Sequence, residues 1–185
     1  MDQAIITQVA EYYRAGKHEP NHPSYGVFVY ETLLQWEYLL DLGYRFTRVD
    51  SALTPSADTY KTSAEMFQDI ARKQLRIDSA GQSFASGHPL KYQYKDSQFI
   101  INECFRGVHD VMGHGSTQCP FETFEGELEA LRNHARMYSR DAWPALFSET
   151  FGQLCHHFAG YGFVPLQRAV VLPDEFISLA LTVRG

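Results

Sequence analysis

The stretch SQFIINECFRGVHDVMGH, residues 97–114, predicts a helix over residues 97–112 and carries His109 and His114 five positions apart. On a straight α-helix, residues five apart lie about 140° apart around the axis. Both rings can therefore face one point only if the helix ends or distorts between them. Gly113 permits such a change of backbone. We expect His109 on the last full turn and His114 to approach from the helix end.

Outward from this stretch, the sequence predicts a mainly α-helical chain with a few short β-strands, folded as a single compact helical domain over residues 1–185. Hydrophobic periodicity, capping residues and glycine or proline stops define the predicted elements. Further helices are predicted over residues 2–14, 29–42, 63–73, 125–138, 144–160 and 175–183. Short strands are predicted over residues 44–49, 75–77 and 90–94. The metal site is expected in the helical half, over residues 97–162.

The formal net charge of −6 disfavours nucleic acid or an anionic membrane as the main partner, because both are bound through basic surfaces. No segment approaches the ~18 apolar residues of a membrane span, and the N-terminus lacks a secretory signal pattern. Three cysteines without C-x-x-C spacing predict neither a disulfide framework nor a zinc ribbon. These features predict a cytoplasmic protein with a small-molecule substrate, and they leave the oligomeric state open.

Two histidines need a third ligand to hold a catalytic metal. A pair of imidazoles with one carboxylate forms the facial triad of non-haem iron(II) oxygenases, which leaves positions for oxygen and substrate. Glu149 lies on an otherwise apolar predicted helix, where a carboxylate must be paired or must coordinate something. It shares a helix face with Gln153 and His156. Glu149 is therefore the predicted third ligand, with a purely structural histidine pair as an equal alternative.

Several polar residues are predicted to orient the ligands. Glu127 and His134 lie seven apart on one predicted helix and so share a face. They suit hydrogen bonds that orient the ligand histidines, and they also fit a second metal site or an ordinary surface pair. The residues predicted to support the site in this way are Asp110, Glu127, His134 and Gln153.

Two residues are predicted to bind the substrate. Arg106 lies three positions before His109, and its guanidinium group suits a substrate carboxylate. An ion pair between Arg106 and Glu103 is the alternative. Tyr138 lies one turn beyond His134 on the next predicted helix and is the second candidate.

The motif His109-Asp110-Val111-Met112-Gly113-His114 resembles the H-[ED]-x-x-G-H motif of the aromatic amino acid hydroxylases. The segment Glu149-Thr150-Phe151-Gly152 is similar to the helix that carries that family's glutamate ligand, and Tyr161-Gly162 stands where the family has Tyr-Gly. The resemblance covers residues 109–162. It implies that His109, His114 and Glu149 bind iron(II).

The resemblance implies a non-haem iron(II) monooxygenase, a hydroxylase that uses dioxygen on a small substrate, for which an aromatic compound is the candidate. That family also uses a pterin. We identify no pterin-binding segment here, so the reductant is left open. The same stretch is also similar to small domains without an assigned activity, some of them phage-encoded, through Phe105-Arg106, Met137-Tyr138-Ser139 and Glu149-Thr150.

Two other functions fit the same residues. A zinc hydrolase would use Asp110 as a base toward water, although the histidine spacing differs from that of H-E-x-x-H proteases. A non-catalytic module would use the metal only to hold the fold, with a closed set of ligands.

Overall fold

A computed structural model describes residues 1–50, 60–79 and 82–182, and they form a mainly α-helical fold, as predicted. The predicted last helix is observed up to residue 182, and residue 183 lies outside the described ranges. The α-helices are α1 (Gln3–Ala15), α2 (Pro23–Asp41), α3 (Ser63–Ala71), α4 (Ile101–Val108), α5 (Phe124–Ala135), α6 (Trp143–Phe147), α7 (Gln153–His156) and α8 (Asp174–Thr182). The strands are β1 (Arg45–Val49) and β2 (Gln74–Asp78). None of the helices described here combines the length and apolar character needed to cross a membrane.

Strands β1 and β2 pair in parallel, with Arg45 opposite Gln74. A parallel pair needs a crossover connection, and α3 lies in the chain between the two strands. The strand predicted over residues 90–94 is wrong, because a 3₁₀ turn occupies Pro89–Lys91. Proline favours the first position of such a turn, and the His88 side chain caps the turn by accepting the Leu90 N–H.

The helix that carries the histidines does not end between them. Helix α4 continues directly into a π-helical turn, His109–Gly115. In a π-helix the backbone bonds join residues five apart, so residues at that spacing lie above one another. The predicted distortion is therefore confirmed, but its form differs from the expectation. His114 lies one π-turn above His109 instead of swinging in from a helix end.

The long helix predicted over residues 144–160 is also built with π-helical turns. One π-turn, Ser148–Gly152, joins α6 to α7, and a second, His157–Tyr161, follows α7. The inserted residue of a π-turn rotates the side chains that follow it around the helix axis. Glu149 and Gln153 nonetheless share a face, as predicted, because Gln153 Nε2 donates to Glu149 Oε2 at 2.9 Å.

Helix α4 is buried on two sides. Ile101 and Phe105 belong to a large apolar cluster that also includes residues of α1, α2 and α5. Cys104 and Val108 belong to a second cluster, which contains Trp36 and residues of both strands. Close packing on both sides restricts movement of the helix that leads into the histidine-bearing π-turn.

Candidate metal centre

The side chains of His109, His114 and Glu127 meet at one point. One potential ligand atom from each lies within 4.8 Å of the others, and within the described ranges this is the one cluster of this kind. Glu127 Oε2 lies 3.8 Å from His109 Nε2 and 3.5 Å from His114 Nε2. The side chain of His114 is 2% exposed and that of Glu127 is 28% exposed. The cluster therefore opens to solvent on the Glu127 side.

Gly113 allows α5 to approach the π-turn closely. A Cβ atom on Gly113 would lie 3.0 Å from the backbone oxygen of Ala130 and 3.2 Å from His109 Nδ1. The first contact is with helical backbone, which cannot turn aside as a flexible side chain can. Glycine between the histidines therefore lets α5 pack closely, whereas its φ is not positive, so the position does not use the conformational freedom that the sequence suggested.

Gly113→Ala is expected to lower the free energy of unfolding by about 1–3 kcal/mol, the usual cost of overpacking a core. It should also weaken metal binding, because the added methyl group presses on the His109 ring. Urea unfolding and chelator competition with Zn²⁺ measure the two effects.

Gly26→Ala is the matched control, because nothing lies within 4 Å of a Cβ on this helical glycine. Alanine there should stabilise α2 by up to about 1 kcal/mol. Equal effects of the two substitutions would contradict the role assigned to Gly113.

The loop between the π-turn and α5 orients His114. His114 Nδ1 lies 2.8 Å from the carbonyl oxygen of Cys119. Pro120 packs against Gly126, where a Cβ would come within 1.9 Å of the proline oxygen. Glu122 accepts the Ser63 N–H at 2.7 Å and so ties the loop to the start of α3. The Cys119 carbonyl is thus held from two sides.

His109 is held on its other side by a second histidine. His109 Nδ1 lies 3.0 Å from His134 Nδ1, and His134 Nε2 lies 3.0 Å from Gln35 Oε1. His134 is completely buried, and burial lowers its pKa well below the usual value. The structure thus brings His134 to the side of His109, where a residue that orients this ligand would lie.

The charges around the cluster are strongly coupled. Burial raises the pKa of Glu127, but its interactions with the nearby His109 and His114 side chains outweigh this and bring the pKa to about 2. Burial lowers the pKa of His114, whereas Glu127 and Asp110 raise it to a net value above 6.5. Burial raises the pKa of Asp110, against the opposing charges of His114, His109 and Arg106. Glu127 is therefore ionised at neutral pH.

As the pH is lowered, the affinity of the site for a metal should begin to fall at a higher pH than it would for a free imidazole. A metal must displace the proton on His114 Nε2, and the raised pKa of His114 means that this proton competes above pH 6.5. Chelator competition between about pH 5 and 8 measures the onset. A decline that begins only below pH 6.5 would contradict the proposed coupling of His114 to Glu127.

The structure does not bring Glu149 to the two histidines, and this corrects the predicted ligand set. Glu149 lies in a separate buried cluster, where Tyr25 Oη donates to Oε1 at 2.6 Å and Gln153 Nε2 donates to Oε2 at 2.9 Å. His88 Nε2 lies 3.3 Å from Oε1. The Glu149 carboxylate does have partners, as expected on an apolar helix, but they are protein side chains. Glu127 is the carboxylate that lies beside the histidines.

Of the other residues predicted to support the site, some lie close to His109 and His114 and others do not. Asp110 is half-buried close to both histidines, whereas Gln153 bonds to Glu149 and belongs to the separate cluster. Arg106 Nη1 donates to the Asp78 carbonyl at 2.9 Å. Tyr138 is buried, its ring packs 5.0 Å from that of His134, and its hydroxyl lies 2.8 Å from Thr32 Oγ1. Tyr138 therefore stands behind His134 instead of facing an open site.

The alternative ion pair between Arg106 and Glu103 is not the one observed. Arg48 Nε lies 2.9 Å from Glu103 Oε1, and Glu103 also accepts the Ile100 N–H. Sequence reasoning also missed two partners of the histidines, the side chain of Gln35 and the carbonyl of Cys119. Neither carries a motif, and a backbone carbonyl has no residue-specific signal.

Comparison of the chain with protein-family models, with curated proteins and with solved structures gives no match.

Proposed function

We propose that the chain is a non-haem iron(II) oxygenase that holds one ion through His109, His114 and Glu127. The observation that carries the proposal is the convergence of two imidazole nitrogens and one carboxylate oxygen within 4.8 Å of one another. This is the ligand set of the facial triad, with Glu127 in place of the glutamate predicted from the sequence. When bound, the iron would supply dioxygen activation at the positions that the protein leaves free.

The hydrogen bonds of His114 fit a metal ligand. The Cys119 carbonyl can only accept, so His114 Nδ1 must carry a proton. In the neutral ring, Nε2 then presents its electron pair toward the carboxylate of Glu127. An electron pair and a carboxylate facing each other need a cation between them. A proton fills that role in the metal-free chain, and a metal ion suits it equally well.

The surroundings support a small, aromatic substrate. The half-buried ring of Phe121 stands edge-on to the His114 ring, with the centroids 6.4 Å apart. The partial exposure of Glu127 gives a small molecule a route to the metal. The protein would orient the substrate against the Phe121 ring and exclude water, and Arg106 remains the proposed partner for a substrate carboxylate.

A zinc hydrolase is the second candidate, because two histidines and one glutamate also form a catalytic zinc site. The observation that favours it is the position of Asp110, whose half-buried carboxyl group interacts electrostatically with both histidines. In that reaction Asp110 would accept the proton of the attacking water.

Oxygen uptake by the metal-loaded chain tests the choice. The protein is loaded anaerobically with Fe²⁺ or Zn²⁺ and exposed to small aromatic compounds in an oxygen electrode, with ascorbate added as the two-electron reductant that hydroxylation consumes, alongside Glu127→Ala. We expect uptake coupled to product with iron, and none with zinc or with the variant. Zinc-supported hydrolysis without oxygen uptake would replace the oxygenase by the hydrolase. Neither activity, with stability lost on metal removal, would point to a structural metal.

A further inference from the structure

We propose that Gln35 is a positioning residue that acts through His134 and fixes which nitrogen of His109 carries the proton, so that Nε2 keeps the electron pair that faces the metal. The proposal rests on the metal site proposed above. Gln35 lies on α2 and is buried, and it is separated from His109 by the full width of the His134 ring. The ligand His109 thus differs from His114, whose orientation depends on a single backbone carbonyl.

The backbone carbonyl of Met137 determines which way the hydrogen bonds of Gln35 and His134 run. Its backbone carbonyl lies 3.5 Å from Gln35 Nε2, and a carbonyl can only accept. The amide nitrogen of Gln35 therefore faces Met137, which turns Oε1 toward His134. Because Oε1 also can only accept, His134 Nε2 must donate across the 3.0 Å contact.

The hydrogen bonds from Gln35 through His134 to His109 form a relay. The direction of its second half follows because a neutral imidazole carries a single proton. With Nε2 protonated, His134 Nδ1 is an acceptor. His109 Nδ1, 3.0 Å away, must then supply the proton between the two rings. In a neutral His109 this leaves the electron pair on Nε2, the atom that lies 3.8 Å from Glu127 Oε2. The relay therefore presents the correct ligand atom to the cluster.

The reversed relay has the opposite consequence. If the amide of Gln35 were turned over, its oxygen would face the Met137 oxygen and its nitrogen would donate to His134. His134 would then donate to His109, and His109 Nε2 would carry the proton and could not bind a metal. In one direction His109 Nε2 can bind a metal and in the other it cannot. The two directions differ only in the orientation of the Gln35 amide and in the positions of the protons.

Packing keeps the His134 ring in place. The ring of Phe105 stacks on it, with an interplanar angle of 14° and centroids 6.0 Å apart. Tyr138 contacts it edge-on, and the Tyr138 hydroxyl is in turn held by Thr32. With the ring fixed on both sides, only the proton positions remain to be set, and Gln35 sets them.

Nitrogen NMR of the metal-free chain tests the direction without any metal or substrate. Long-range ¹⁵N–¹H correlation distinguishes protonated from unprotonated ring nitrogens. We expect His134 to carry its proton on Nε2 and to have an unprotonated Nδ1. A proton on Nδ1 of His134 would overturn the proposal, and this result does not depend on whether the chain is an oxygenase.

Zinc affinity of two glutamine variants tests the consequence. Gln35→Met removes the acceptor with little change in size and is expected to lower Zn²⁺ affinity roughly 10–100-fold, as for other residues that orient metal ligands. Gln153→Met makes the same chemical change in the separate Glu149 cluster, and it should leave both the affinity and the His134 tautomer unchanged. Equal affinities in the two variants would overturn the proposal. If Gln35→Met does not fold, the wild-type spectrum decides.

Discussion

Glutamine in place of Glu127 is expected to lower the affinity for Zn²⁺ or Fe²⁺ by more than the roughly 10–100-fold that outer contacts cost. The substitution removes the one charged ligand of the proposed triad and keeps the size of the side chain. The chain should stay folded, because Glu127 is partly exposed at the open side of the cluster. Isothermal titration with Zn²⁺ and anaerobic titration with Fe²⁺ measure the loss.

The matched control for this result is Glu149→Gln, which makes the same chemical change in the separate cluster. It should keep a metal affinity close to that of the unchanged chain. The opposite outcome, in which Glu149→Gln loses the metal and Glu127→Gln keeps it, would restore the ligand set that the sequence predicted and contradict the geometry of the cluster.

Removal of the Glu149 side chain should have a large effect on stability instead. Glu149→Ala leaves Tyr25, Gln153 and His88 without the carboxylate to which they turn in the core. Unsatisfied buried groups cost about 1–3 kcal/mol each, so we expect a loss of roughly 3 kcal/mol in the free energy of unfolding. For a chain of this size, that corresponds to a fall in Tm of about 6–12 °C. Calorimetry and urea unfolding measure it.

Glu129→Ala is the control for this loss, because the Glu129 side chain is 50% exposed and pairs with Arg132 at 3.5 Å. Its substitution should change the free energy of unfolding by no more than about 0.5 kcal/mol. Similar stabilities for the two alanine variants would show that the Glu149 cluster contributes little to the fold.

Local signals in the sequence predict much of the fold. Helical periodicity and the proline and glycine stops indicate most of the helices. The spacing of His109 and His114 requires a distortion, and the π-turn provides it. The prediction of a strand over residues 90–94 was wrong because Pro89 begins a 3₁₀ turn there and the His88 side chain caps it.

The carboxylate ligand could not be predicted by the same means. Burial of Glu149 on an apolar helix indicates that it has partners, but the sequence does not say which. Those partners, Tyr25 and His88, come from distant segments of the chain. Glu127 was assigned a supporting role because only tertiary packing brings α5 against the histidines.

The most direct test of the metal centre is an EPR spectrum of the chain loaded anaerobically with Fe²⁺ and treated with nitric oxide, with His109→Ala, Glu127→Ala and Glu149→Gln alongside. Nitric oxide needs a free position on the iron, as dioxygen does. We expect a high-spin iron–nitrosyl signal that is kept in Glu149→Gln and lost in the other two variants. No signal in the unchanged chain, or a signal that survives in Glu127→Ala, would contradict a single iron held by His109, His114 and Glu127.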